Sequence, residues 1–230
     1  MNDPRQIYDR LWAEAAAAFA RREPHIDPYL SRRTDDRRRS VTLAIRPGPV
    51  VRRAVNNFLK QLATVAPGQH FYRPEELHVT VLAVIPGSET WREKIRDLPA
   101  LRAIIRETLL RQPAFKIAFQ GVTASSGAVM IQGFPENDVL ENIRAGLRAG
   151  FQRQGLAEDV DRRYKISAAH LTVMRFKQAS VDWEPFLAKL NESRTTDFGT
   201  THVEQLQLIW SDWYASAETV RMLEEYALRT

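Results

Sequence analysis

One order of elements occurs twice along this chain, and it restricts the fold more than any other feature. Residues 40–46 read as a strand with Val41, Leu43 and Ile45 on one face, stopped by Pro47-Gly48-Pro49. Residues 50–65 then show helical apolar spacing, and a second strand at about 76–85 carries Leu77-His78-Val79-Thr80-Val81-Leu82. The same order returns as a strand near 127–134, an amphipathic helix over 137–153 and a strand at about 166–176 carrying Ala169-His170-Leu171-Thr172-Val173-Met174. An internal duplication, spanning 41–85 and 127–176, is the simplest reading. It predicts an α+β fold of two lobes related by a pseudo-twofold, with the histidine strands meeting at a central cleft.

Each histidine strand places a His and a Thr at i and i+2. In an extended chain these two project from one face, while Val79 or Leu171 packs on the other. Each motif therefore presents an imidazole beside a hydroxyl on a hydrophobic strand. Imidazole titrates near neutral pH, so His78 and His170 can share acid and base duties. The hydroxyls of Thr80 and Thr172 can donate to phosphate oxygens. Arg175, three residues after Thr172, adds a cation suited to a crowded phosphorane-like transition state. This residue chemistry points to phosphodiester transfer or hydrolysis without a metal, since no Asp/Glu cluster accompanies the pair. No cofactor is expected.

The remaining elements are plainer. Residues 4–22 read as a helix, with Asp3 as N-cap and Pro4 in its first turn. A helical region over 90–111 is broken at Pro99, a strand is expected near 114–122 with a turn at Ser125-Ser126-Gly127, and a further helix covers 182–192. Residues 203–210 read as a strand, and 220–228 as either strand or helix. Residues 1–39 separate as an N-terminal helix and Arg-rich linker from a single bilobal domain over 40–230. The stretch Arg32-Arg33-Thr34-Asp35-Asp36-Arg37-Arg38-Arg39 reads as a solvated linker in preference to a nucleic-acid contact.

Composition excludes several classes. The chain has no cysteine, which removes disulfides, thiol nucleophiles and Cys-based zinc sites. No run approaches about 18 apolar residues, and the N-terminus lacks a secretory pattern, so a cytoplasmic, membrane-free monomer is expected. The net charge of +5 favours an anionic partner, with a nucleotide or an RNA end first among them. Tyr72 and Arg73, at the entry to the first histidine strand, read either as ligand contacts or as loop residues. Trp210 reads as a base platform or as core. His25, His70 and His202 lack a Thr partner and are treated as incidental, and Gly146 with Gly150 lie on a helix too polar to be a membrane signal.

His78-Val79-Thr80 and His170-Leu171-Thr172 resemble the paired H-x-T/S motifs of the 2H phosphoesterase superfamily, which includes the 2′-5′ RNA ligase-like proteins and cyclic phosphodiesterases. The resemblance implies two antiparallel sheets flanking a central cleft, with helices outside. It also implies opening of 2′,3′-cyclic phosphates, or action on 2′-5′ linkages, without metal. The run His170-Leu171-Thr172-Val173-Met174-Arg175 is similar to the form seen in the ligase-like branch, which assigns Arg175 to the phosphate. The ending, Leu206-Gln207-Leu208-Ile209-Trp210-Ser211 followed by 220–228, resembles that branch's last hairpin and makes 220–228 a strand. Ala83, Val84 and Ile85 stand where the branch usually carries an aromatic and a glycine. Two other functions share the scaffold: reversible 2′-5′ RNA ligation, and nucleotide or RNA binding without turnover.

Overall fold

The structure is a computed structural model that describes residues 3–161 and 165–229. Helix α1 (Pro4–Ala20) starts where the Asp3 side chain accepts from the Arg5 N–H at 2.9 Å, with Pro4 in the first turn where it displaces no hydrogen bond. Strand β1 (Arg39–Ile45), helix α2 (Pro49–Val65), the short β2 (His70–Phe71) and β3 (Val79–Ser88) form the first half of the repeat. Helices α3 (Trp91–Lys94) and α4 (Leu98–Leu109) follow, with Pro99 accommodated at the start of α4. Then come β4 (Phe115–Ser125), β5 (Ala128–Pro135), α5 (Val139–Arg153) and β6 (Leu171–Arg175). Helix α6 (Trp183–Glu192) and strands β7 (Asp197–Val203), β8 (Gln205–Asp212) and β9 (Arg221–Ala227) complete the chain.

The strands pair antiparallel in the order β7-β4-β5-β6-β3-β1-β8-β9, with β2 added to β6. The α+β class and the duplication are as expected: β1–α2–β3 and β5–α5–β6 are equivalent, and β8 with β9 matches β4 with β7. The two antiparallel sheets are the halves of one curled sheet. They join through a single register pair, Val79 with Leu171, the residues between His and Thr of each motif. Beyond that pair the strands diverge, and β2 enters the fork against Met174 and Arg175. The helices are exchanged: α2 packs on β7 of the second half, and α5 packs on β3 of the first.

Several boundaries differ from the sequence reading, each for a local reason. β3 continues through Pro86 and Gly87 instead of stopping there. A register shift between Arg39 and Val41 leaves both residues in a bulge, where the missing proline N–H costs no ladder bond. A Cβ on Gly87 would lie 2.6 Å from the Trp213 ring, so only glycine fits. The second histidine strand is only Leu171–Arg175, because side chains bind the backbone before it. Ile166 O accepts from Arg148, Ser167 O and Ala168 O accept from Arg144, and the Ala169 N–H donates to the Tyr8 hydroxyl. Strand β7 is absent from the sequence reading, since this edge strand buries only Phe198, Thr201 and Val203. The 220–228 segment is a strand over Arg221–Ala227.

The N-terminal segment packs against both halves. Tyr8 is fully buried, and its hydroxyl donates to Gly133 O at 3.0 Å and accepts from the N–H groups of Gly133 and Ala169. Phe19 joins Phe176, Trp183 and Phe186 in an aromatic cluster. The Arg-rich stretch is not a solvated linker throughout. Asp36 is buried and pairs with Arg38 at 2.7 Å, and the Arg38 guanidinium lies 4.4 Å from the ring centres of both Tyr29 and Trp213. These aromatic faces and the buried carboxylate cover charge that sequence alone assigns to solvent.

Candidate active site

A cleft of about 600 Å³ opens over the β3–β6 junction, within the range of small-molecule sites. His78, Thr80, His170 and Thr172 all line it, together with Arg175 and Tyr72. The geometry follows from strand alternation. Val79 and Leu171 are fully buried beneath the junction, so their neighbours on either side face the cleft. Both histidines sit one residue before the paired strand and are partly buried.

The two imidazoles differ in what holds them. His78 Nδ1 lies 2.8 Å from the Glu76 carbonyl, which can only accept; Nδ1 therefore carries the hydrogen and Nε2 keeps its lone pair. His170 Nδ1 is buried with no hydrogen-bond partner among the described residues. Burial pushes both imidazoles down to about 4, reinforced at His78 by Arg46 and Arg175, and at His170 by Arg144, His78 and Arg175. Both rings are thus neutral at pH 7.

Arg175 Nε donates to the Tyr72 hydroxyl at 2.9 Å, so Tyr72, itself buried, aims the guanidinium. Arg73 instead points outward into Glu76 and Glu218, at 2.7 and 2.6 Å. Trp210 stands apart from the cleft. Its neighbours Ile209 and Ser211 line the cavity, so alternation turns the indole to the other face, edge-on to Trp91 at 5.6 Å. His25 and His202 lie outside the cleft lining. His70 belongs to the surroundings of Arg175: burial and Arg33 push it down to about 4, and its ring lies 4.9 Å from that of Tyr72. Among the described residues no group of three or more His, Asp or Glu side chains is placed to hold a metal ion.

Two residues beside the site escaped the sequence reading. Arg144 sits on the buried stripe of α5 among Leu140, Ile143 and Leu147, and a lone arginine at a stripe position was the available signal. Tyr8 reaches Ala169, next to His170, and nothing local in α1 marks it.

Comparison with known proteins gives the family and the fold. The sequence profile of the 2′-5′ RNA ligase superfamily matches residues 47–214. The crystal structure of TT0787 of Thermus thermophilus is similar with a TM-score of 0.62 at 20% identity, covering 83% of this chain and 98% of that one. A phosphoesterase structure matches with a TM-score of 0.56 at 18% identity, over 84% of this chain and 99% of that one. Escherichia coli LigT, in a structure with 3′-AMP, matches with a TM-score of 0.54 at 17% identity, over 84% of this chain and 99% of that one. LigT has also been solved with ATP and with NADP+. These likenesses carry the fold. No curated protein sequence matches significantly.

Proposed function

Since the chain belongs to the 2′-5′ RNA ligase superfamily, whose members are phosphoesterases or ligases, we propose that its cleft opens 2′,3′-cyclic nucleotide phosphates, or acts on 2′-5′ linkages at RNA ends, by two-histidine acid–base catalysis. The observation that supports this most is the convergence of both His-x-Thr pairs and Arg175 on one cleft of nucleotide size. The nucleotides bound to LigT in its solved structures are consistent with a nucleotide ligand here.

In the hydrolytic direction, a water attacks phosphorus and gives its proton to His78 Nε2, the nitrogen left with a lone pair by the Glu76 contact. One ring P–O bond breaks, and the departing ribose oxygen takes a proton from the His170 imidazolium. The bound phosphate anion favours that imidazolium against the push of Arg144 and Arg175. Thr80 and Thr172 donate to the non-bridging oxygens, and Arg175 neutralises the charge that develops on them. Solvent exchange then restores both imidazoles. Ligation runs in the same direction, with a ribose hydroxyl in place of water as the nucleophile: it gives its proton to His78, and the departing ring oxygen takes one from His170.

The test is turnover of 2′,3′-cyclic mononucleotides and 2′-5′ dinucleotides by the full chain, with chelator present. Hydrolysis that persists with chelator and disappears in both His78→Ala and His170→Ala is the expected result. Full activity in either variant, or tight nucleotide binding with no turnover over the whole panel, would overturn the proposal.

A further inference from the structure

The two motifs meet through one register pair, so the sheet ladder alone does little to set the spacing of the two imidazoles. A buried side chain spans the fork instead. Arg144, only 1% exposed, projects from α5 beneath the cleft floor. Its Nε donates to Val81 O at 3.0 Å and its Nη2 to Thr80 O at 3.1 Å, both on the first motif strand. Nη1 donates to Ser167 O at 3.1 Å and Nη2 to Ala168 O at 2.8 Å, both just before His170. A guanidinium is planar and its donors diverge at fixed angles, so four carbonyls bound at once hold the two backbones at one separation. Among the described residues no carboxylate forms an ion pair with it; Glu141 and Asp161 pair with Arg148 instead.

We infer that Arg144 is a positioning residue that sets the distance between His78 and His170 by clamping the two motif strands from below. This rests on the proposed roles of those histidines. An apolar side chain at this stripe position would leave four carbonyls without this donor and the fork to a single strand pair. The buried charge has a second consequence, since Arg144 is the largest electrostatic contributor to the depressed basicity of His170, after burial itself.

The experiment compares Arg144→Lys and Arg144→Gln in the full chain with Leu147→Ala, a buried neighbour on the same helix that binds no motif backbone. Turnover of a 2′,3′-cyclic nucleotide is measured per folded molecule, and histidine titrations are followed by NMR. Arg144→Gln is expected to lose about 10²-fold in kcat with KM changed less than about threefold, the mark of misplaced catalytic groups. Arg144→Lys should fall between Gln and wild type. His170 should titrate higher in the Gln variant but not in the Lys variant, because only the former loses the charge. Leu147→Ala should lower Tm and leave kcat per folded molecule intact. The clamp is overturned if folded Arg144→Lys matches wild type in kcat; that readout stands even where the Gln variant does not fold. If wild type turns over no cyclic nucleotide, the proposed function fails, and the clamp is judged by the His78–His170 separation in crystal structures of wild type and Arg144→Lys: a changed separation supports it and an unchanged one overturns it.

Discussion

The two motifs share a backbone plan and differ in almost every side chain around it. At the first, His78 is oriented by a 2.8 Å contact to Glu76 O, and the Glu76 carboxylate is itself held by Arg73 and the Ala217 N–H. At the second, His170 Nδ1 has no partner among the described residues, and the position five residues on, which is Ala83 in the first motif, is Arg175. The approaches differ in the same sense. Arg46 reaches the carbonyls of Glu75, Glu76 and Leu77 through one nitrogen at 3.2–3.4 Å. Arg144 holds its four carbonyls through three nitrogens at 2.8–3.1 Å. A duplicated strand supplies two like groups, and unlike surroundings give them unlike work. In the proposed mechanism the first half holds a base in one tautomer, while the second gathers cations around the phosphate.

The largest effects should come from the histidines themselves. His78→Ala and His170→Ala should each cost about 10³-fold or more in kcat on a cyclic nucleotide. A phosphodiester with a 4-nitrophenolate leaving group then separates the halves, because that group departs without a proton. It should restore turnover to His170→Ala and not to His78→Ala. Rescue of His78→Ala instead would reverse the two roles.

Next is the cation found on one side only. Arg175→Ala should lower kcat/KM by about 10²-fold, the usual cost of one donor to developing charge. Ala83→Ser, at the equivalent place, should change it less than about twofold. Equal losses at the two positions, read from initial rates, would show that the phosphate does not favour the second half.

The histidine environments also make a stability prediction. His70, His78 and His170 are all pushed down to about 4 from the ordinary 6.5. Between those values the unfolded chain binds protons that the folded one refuses, so stability is complete above about pH 6.5 and is lost as pH falls toward 4. Thermal melts should show Tm falling through that window. His70→Gln, which removes one of the three depressed imidazoles, should flatten the slope. A Tm independent of pH over the window would mean that the cleft solvates its imidazoles.

The repeat, the placement of both motifs and most elements are legible in the sequence, because apolar periodicity and turn residues report local structure directly. What could not be read depends on contacts between distant segments. The second histidine strand is short because Tyr8, Arg144 and Arg148 take its backbone groups, and none of these lies near it in sequence. The Arg-rich segment is packed because Tyr29, Asp36 and Trp213 meet Arg38. His70 reads as incidental until β2 is seen to pair with β6 beside Arg175.

The smallest effects separate two aromatic residues that sequence treats alike. Tyr72 accepts from Arg175 at 2.9 Å inside the cleft wall, so Tyr72→Phe removes one hydrogen bond that aims the cation. A hydrogen bond to a charged group is worth about 1.5–3 kcal/mol, but Arg175 stays in place and can turn to water or substrate. The loss in kcat/KM should therefore be only about tenfold, at the low end of that range. Trp210 faces Trp91 on the far side of β8, and its burial contributes to stability alone. Trp210→Phe should lower Tm through lost packing and leave kcat/KM within about twofold. The contrast fails if Trp210→Phe weakens nucleotide affinity as much as Tyr72→Phe does, because strand alternation would then no longer separate the cleft from the face beneath it.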